Sequence, residues 1–226
     1  MVNENRPKFY TWENLDIIKK LKNSLKHNHP IITDTDTVPG FLVMPTLEGY
    51  NLLQQIKQGR KHKPYIILIS DKQKLSHFAA PESFTPALNN VIKNCWPGPL
   101  TIILKAQALL PVYLKSPQET IAIRCPKHKK LLSLLASFSG LFSTSANKSD
   151  QPTPTSCLDL DQELVKQCEY IVSNEKLDAP KPIYNACAST ILDFSDINKN
   201  DTIRVVREGA YPIKEIEKYY GQPITK

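Results

Sequence analysis

Apolar residues recur along the chain at two spacings, and segments of the two kinds alternate. A helical spacing predicts amphipathic helices, whereas short apolar runs bounded by turn residues predict strands. The predicted helices cover residues 14–27, 47–58, 87–95, the segment up to 138, 159–167 and a terminal segment that begins at Pro212. The predicted strands cover residues 31–33, 65–70, 100–105, 120–124, 170–172, 189–193 and 202–206, with a further one that begins at Leu141. This alternation predicts an α/β fold, and the successive strands at 100–105 and 120–124 indicate a mixed sheet.

Local signals mark the ends of several predicted helices. Thr46 is placed to cap the helix that follows it, and Gly59 is typical of a stop for that helix. Thr85 followed by Pro86 is typical of a helix start. With 226 residues and no break in composition, the chain is predicted to form a single domain.

The composition predicts a globular protein with anionic partners. Lysine and arginine outnumber aspartate and glutamate by 29 to 22, and the resulting charge of +7 favours nucleotides or nucleic acid without choosing between them. No apolar run reaches the ~18 residues that span a bilayer, so no membrane partner is expected. The N-terminal residues lack the apolar segment of a secretory signal. The five cysteines lie far apart, which predicts reduced thiols in a cytoplasmic protein.

A run of hydroxyl side chains follows the start of the strand at Leu141. Ser143, Thr144 and Ser145 lead to Asn147, so hydroxyls and a carboxamide meet where the strand ends. Neutral donors of this kind suit phosphate or carboxylate oxygens. An isolated SxSxN is more often a plain polar turn, so other segments of the chain must decide between the two interpretations.

Cations gather between the predicted helix over 47–58 and the strand that follows Pro64. They are Lys57, Arg60, Lys61, His62 and Lys63. Such a cluster usually serves solubility, but a position between a helix end and a core strand suits contact with a phosphate chain. Neither GxxxxGK[ST] nor GxGxxG occurs, so side chains rather than a glycine-rich loop would hold a nucleotide.

Several stretches, taken together, carry a family resemblance. They are TDTVPG at 35–40, IKQGRKHKP at 56–64, WPGPLT at 96–101, IAIRCPKH at 121–128, STSANKS at 143–149, and the weaker STILDF at 189–194 and IRVVREGA at 203–210. In this order they resemble the YrdC-domain family of threonylcarbamoyl-AMP synthases. The resemblance covers about residues 13–212, with a helical tail over 212–226. It implies one YrdC-like domain over residues 1–226, a twisted mixed sheet flanked by helices around a positively charged concave cleft.

The resemblance implies a nucleotidyltransferase. L-threonine and bicarbonate would form a carbamate that attacks the α-phosphate of ATP, so that pyrophosphate leaves and threonylcarbamoyl-AMP remains. The product would serve threonylcarbamoyladenosine modification of tRNA, which implies proteins of a threonylcarbamoyl-transferase complex and tRNA or double-stranded RNA as further partners. Mg²⁺ is expected to be held mainly by ATP and water, with no metal site formed by the protein.

The resemblance also implies roles for individual residues. The nucleotide-binding positions are Lys57, Arg60, Lys63, Ser143, Ser145, Asn147 and Ser189. The substrate-binding positions are Thr35, Thr37 and Arg124, and the catalytic positions are Lys57, Arg60 and Arg124. Attack at an α-phosphate needs charge neutralisation on the leaving pyrophosphate and alignment of the carbamate, and fixed cations with neutral donors supply both.

Three positions depart from the family pattern. Pro39 stands where the family loop usually has an aromatic residue, and Asp150 stands where glycine is usual. The arginine of the cationic motif falls on Arg60, one residue late, with Gly59 at the expected place. We predict that Arg60 is still the second cation that binds the phosphates. If the helix ends at Gly59, helical periodicity no longer sets the direction of the Arg60 side chain.

Two other interpretations stay open. A nucleic-acid-binding module without catalysis could use the clusters at 60–63 and 127–130 to follow phosphates, although no aromatic residues interleave these cations for base stacking. A catalytically silent relative could sense nucleotide. Pyrophosphate release from ATP, with and without threonine and bicarbonate, separates these alternatives from the enzyme.

Overall fold

A computed structural model describes residues 7–58, 64–149, 151–174, 187–197 and 203–224. These residues form two compact units, and each unit combines two separate segments of the chain. Unit 1 lies within residues 1–61 and 141–186, and unit 2 lies within 62–140 and 187–226. A uniform composition cannot reveal this division, because the chain leaves each unit and returns to it. The single domain over 1–226 and the positively charged cleft therefore stay predictions.

Ten strands and six helices lie in the described part of the chain. The strands are β1 (Lys8–Thr11), β2 (Ile31–Thr33), β3 (Gly40–Val43), β4 (Ile66–Leu68), β5 (Leu100–Lys105), β6 (Thr120–Arg124), β7 (Leu141–Ser145), β8 (Tyr170–Ser173), β9 (Thr190–Asp193) and β10 (Arg204–Arg207). The helices are α1 (Ile17–Lys26), α2 (Leu47–Ile56), α3 (Pro86–Cys95), α4 (Lys129–Leu135), α5 (Gln162–Val165) and α6 (Ile213–Tyr220). Short 3₁₀ turns lie at Lys72–His77, Pro81–Ser83 and Val112–Leu114.

Each unit contains five strands in mixed orientation. In unit 1 the strand order is β1-β8-β2-β3-β7, with β8 parallel to both β1 and β2 and with β3 antiparallel to both of its neighbours. In unit 2 the order is β4-β6-β5-β9-β10, in which β5 and β6 are antiparallel. The predicted α/β class and mixed sheet are confirmed. Because parallel neighbours end at the same edge, the residues that follow β1, β2 and β8 lie close together.

Hydrophobic burial explains why these segments fold. The strands of unit 1 bury Ile31, Phe41 and Phe142, each at most 1% exposed, and α1 adds Leu21 and Leu25. In unit 2, α3 and α6 contribute apolar faces that include Leu88, Ile92 and Ile216. No helix in the described ranges is long and apolar enough to cross a membrane.

The predicted caps are confirmed, but several helices are shorter than predicted. The Thr46 hydroxyl accepts from the Gly49 amide at 3.1 Å, and Thr85 caps α3 in the same way. Helix α2 ends at Ile56, because Gln58 takes a left-handed conformation with φ of 50°. The predicted stop at Gly59 was therefore too late, and Gly59 itself lies outside the described residues. Strands β1 and β3 were not predicted, since neither segment shows a clear period of two.

Candidate functional site

The loop between β2 and β3 carries the two threonines predicted to bind the amino acid. The Thr35 hydroxyl donates to the Val38 carbonyl at 2.9 Å and accepts from the Thr37 amide at 3.0 Å. Its contact with the Thr37 hydroxyl, at 3.0 Å, therefore uses the Thr37 proton, because a hydroxyl donates only once. Thr35 thus shapes the loop, and a substrate contact by Thr35 or Thr37 stays a prediction.

The exit of this loop lies against the segment over 145–149, which we call the hydroxyl turn. Gly40 pairs with Ser145 across β3 and β7, and the Ala146 amide donates to the Pro39 carbonyl at 2.9 Å. A methyl group on Gly40 would lie 3.0 Å from the Thr144 carbonyl oxygen, so glycine permits the close approach. Unit 1 therefore brings together two motifs that are more than a hundred residues apart in the sequence.

Lys57 anchors the hydroxyl turn through the hydrogen bonds of its ammonium group. It follows α2 and is 3% exposed, and its ammonium donates to the Ser145 carbonyl and to Asn147 Oδ1, each at 3.0 Å, and to the Asn147 carbonyl. The Ser145 hydroxyl also donates to Asn147 Oδ1, at 2.6 Å, and Ser149 donates to the Lys57 carbonyl at 2.7 Å. One buried cation thus holds the backbone and side-chain oxygens of the turn.

A partly exposed ion pair joins the turn to α5. Lys148 lies 2.9 Å from Asp161, which also caps α5. The hydrogen bond from Lys148, together with backbone amides of α5, lowers the pKa of Asp161 from its ordinary value. Ser143 lies two residues before Ser145 in β7, so the two side chains share one face of the strand, and Ser143 is 9% exposed. Ser143, Ser145, Asn147 and Lys57 therefore form one cluster within unit 1.

Arg124 lies in unit 2, where it ends β6. The residue is 5% exposed, and its Nε donates to the Gly98 carbonyl at 3.2 Å. The Gly98 amide in turn donates to the Cys125 carbonyl at 2.8 Å, so the WPGPLT turn and the strand end hold one another. This arrangement orients the guanidinium before any ligand binds.

Ser189 lies directly before β9, in a polar cluster of unit 2. Its hydroxyl lies 2.8 Å from the Thr101 hydroxyl. Arg207 donates from Nε to the Ser189 carbonyl at 3.0 Å and from Nη2 to the Ser189 hydroxyl at 3.3 Å. Both acceptors are neutral, whereas Arg204 on the same strand pairs with the Asp193 carboxylate at 2.7 Å.

Gly209 allows the chain to turn closely around Ser189. A methyl group on Gly209 would lie 2.2 Å from the Ala188 carbonyl oxygen and 2.6 Å from that of Ser189. The Thr190 hydroxyl completes the turn, since it accepts from the Gly209 and Tyr211 amides and donates to the Tyr211 carbonyl. The turn over 208–211 thus fixes the position of Arg207, which precedes it.

Some predicted positions lie outside the described residues. They are Arg60 and Lys63, with Gly59, Lys61 and His62 of the same cluster, and Asp150. Their roles stay predictions. In the described ranges, no group of three or more histidine, cysteine, aspartate or glutamate side chains could hold a metal ion.

The sequence matches a family of known proteins. A family model that covers Sua5, YciO and YrdC, with the description "Telomere recombination", matches residues 23–209. The chain belongs to the Sua5/YciO/YrdC family. The recognition made from the TDTVPG, WPGPLT and STSAN stretches is therefore confirmed.

Relatives within the Sua5/YciO/YrdC family carry a common name. A Methanocaldococcus jannaschii protein, provisionally named a threonylcarbamoyl-AMP synthase, is 29% identical over 91% of this chain and 92% of its own length. The threonylcarbamoyl-AMP synthase of Pyrococcus abyssi is 28% identical over 70% of this chain, but the match spans only 44% of that protein.

Solved structures of the family share the fold. P. abyssi Sua5 in complex with L-threonine has a TM-score of 0.76 at 24% identity, covering 92% of this chain and 58% of that one. Escherichia coli YciO has a TM-score of 0.76 at 19% identity, covering 93% of this chain and 99% of that one. At these identities the likeness establishes the architecture alone.

Sequence reasoning missed two members of the Ser189 cluster. Thr101 closes the WPGPLT stretch and Arg207 lies in IRVVREGA, so both fell inside the stretches that carry the Sua5/YciO/YrdC resemblance. The sequence alone could not distinguish Arg207 from Arg204, because only the folded strands show which one meets a carboxylate.

Proposed function

We propose that this chain is an L-threonylcarbamoyladenylate synthase. The observation that carries the proposal is the turn over 145–149, in which a buried lysine holds a set of hydroxyl and carboxamide groups in place. The Ser145 hydroxyl donates to Asn147 Oδ1, and the Asn147 Nδ2 group donates to the Gln151 carbonyl. When these internal hydrogen bonds are exchanged for bonds to a ligand, the turn offers neutral donors beside a cation, which suit phosphate oxygens. The names of the family relatives and the fold of a threonine-bound Sua5 support the same activity.

Each residue predicted from the family resemblance has its own role. Ser143, Ser145 and Asn147 of unit 1 hold the phosphates, with Lys57 as their anchor and first cation. Arg60 and Lys63 supply further positive charge to the leaving pyrophosphate. Thr35 and Thr37 bind L-threonine. In unit 2, Arg124 binds substrate through its forked guanidinium, and Ser189 lies on the adenylate side.

The chemical step needs alignment and charge neutralisation. The threonine amine combines with bicarbonate to give a carbamate and water, and a carbamate oxygen then forms a bond to the α-phosphorus as the bond to pyrophosphate breaks. No covalent intermediate with the protein is required. Mg²⁺ would accompany ATP as part of that substrate, held mainly by ATP and water. We propose that the product passes to tRNA-modifying transferase proteins in the cytoplasm.

The proposal predicts pyrophosphate release that requires every substrate. With ATP, L-threonine and bicarbonate all present, release should be rapid, and omission of threonine or of bicarbonate should reduce it to background. An enzyme-coupled pyrophosphate assay in carbonate-depleted buffer measures this. Tight, strongly salt-dependent RNA binding without any pyrophosphate would instead favour the non-catalytic alternative.

Arg207 and Arg204 provide a matched pair of variants. We propose that Arg207 binds the nucleotide, because its guanidinium is fixed by neutral oxygens and keeps its charge for an anion. Arg207→Ala should raise KM for ATP by about tenfold, the change expected for one charged hydrogen bond, whereas Arg204→Ala, which loses only a surface ion pair, should change it little. Equal effects of the two substitutions on KM for ATP would exclude a specific role for Arg207.

A further inference from the structure

The carboxylate of Asp34 joins three strand ends in unit 1. Its Oδ1 accepts from the Trp12 indole nitrogen at 2.6 Å, and its Oδ2 accepts from the Asn174 amide at 2.8 Å and from the Ser173 hydroxyl at 3.3 Å. Trp12 follows β1, Asp34 follows β2, and Ser173 ends β8. The parallel pairing of β8 with both other strands brings these groups to one edge.

The Trp12 side chain is buried, so its indole N–H needs an acceptor in a fixed position. Trp12 is 1% exposed, and a buried indole N–H requires an acceptor, which Asp34 provides. The Asn174 amide is a backbone donor in a fixed position. A carboxylate satisfies both N–H groups, whereas a carboxamide of the same shape has one oxygen and would turn its own N–H toward the other donor.

Asp34 also lies at the entrance of the loop between β2 and β3, which carries Thr35 and Thr37. Its own amide donates to the Val172 carbonyl at 3.2 Å, and the next residue is Thr35, whose hydroxyl organises the loop. The exit of the loop is fixed separately by the bond between Ala146 and Pro39. The segment over 35–39 is thus anchored at both ends, and both the backbone and the carboxylate of Asp34 hold its entrance.

We propose that Asp34 is a positioning residue that sets Thr35 and Thr37 for recognition of the amino-acid substrate. The inference deepens the proposed function, since the role of the two threonines rests on it. Asp34 acts through the loop and makes no contact with the reacting atoms. Its loss should therefore weaken amino-acid recognition and leave nucleotide recognition unchanged.

The test compares Asp34→Asn with Asp16→Asn, the same substitution at an exposed aspartate before α1. Asp34→Asn should raise KM for L-threonine by about tenfold or more, with KM for ATP unchanged. Amides 35–38 should exchange hydrogen faster than in the parent. Asp16→Asn should match the parent in all three measurements.

A second variant tests the same contact from the other side. Trp12→Phe keeps a buried ring and removes the N–H, so it should shift KM for L-threonine in the same direction by less. Trp12→Phe combined with Asp34→Ala should be no worse than Asp34→Ala alone, because Asp34→Ala already removes the acceptor of the indole N–H. Additive effects would show that the two residues act independently and would overturn the proposal.

The result for Asp34 can be separated from the proposed function. Equal changes in KM for ATP and L-threonine, or unchanged exchange at amides 35–38, would overturn the positioning role even in an active enzyme. If the parent released no pyrophosphate, the proposed function would fail. Calorimetric affinity for L-threonine and the exchange at 35–38 would then still decide whether Asp34 positions the loop.

Discussion

Replacing Lys57 by methionine should lower the rate of pyrophosphate release by about a hundredfold or more. Methionine keeps the buried aliphatic stem but removes the ammonium, which donates to the Ser145 carbonyl and to two oxygens of Asn147. At about 1 kcal/mol for each hydrogen bond lost, the free energy of unfolding should also fall by about 2–3 kcal/mol. Denaturant unfolding and the pyrophosphate assay measure the two effects on the same protein.

Lys148→Met is the matched control for Lys57→Met. Lys148 belongs to the same turn, but it is partly exposed and forms a surface pair with Asp161 at 2.9 Å. Such pairs contribute about 0–1 kcal/mol, so stability and rate should stay close to those of the parent. A Lys57→Met protein that behaved like the Lys148→Met protein would refute the role of Lys57 as anchor of the turn.

Arg124→Lys should lower kcat/KM by about 10²–10³-fold while the protein remains folded. The substitution keeps the positive charge but removes the planar fork that Nε orients through its bond to the Gly98 carbonyl. A lysine ammonium is a point charge on a flexible stem, so it cannot grip two substrate oxygens in a fixed plane. Steady-state kinetics with ATP and L-threonine varied separately measure the loss.

Arg204→Lys serves as the control for Arg124→Lys. The Arg204 side chain is 75% exposed and pairs with Asp193, so lysine can replace it with an effect of a few tenths of a kcal/mol. A fully active Arg124→Lys enzyme would mean that only charge is needed at this position, and the forked contact proposed for Arg124 would be wrong.

Local signals allowed much of the fold to be predicted. The apolar runs that became β5, β6 and β7 are bounded by prolines, glycines and polar turns, and the threonine caps at 46 and 85 need only residues within the next turn. The hydroxyl turn was also recognisable, because its donors are contiguous in sequence. Each of these features leaves a signal within a few residues of the sequence, whatever contacts complete it in the fold.

The remaining features depend on contacts between distant segments. Trp12 meets Asp34 across 22 positions, and Asp34 meets Ser173 across 139, so neither pattern is visible in a sequence window. The choice between Arg204 and Arg207 depends on the register of β10 with β9, which includes an irregularity between Val205 and Arg207. A single sequence contains no direct signal for such register.

The most direct test of the synthase is the identity of its product. The protein is incubated with ATP, L-threonine and ¹³C-labelled bicarbonate, and the adenylates are analysed by mass spectrometry. We predict an adenylate that contains threonine and one carbon from bicarbonate, formed in equal amount with pyrophosphate. An adenylate without the labelled carbon, or RNA binding with no new adenylate, would contradict the proposed function.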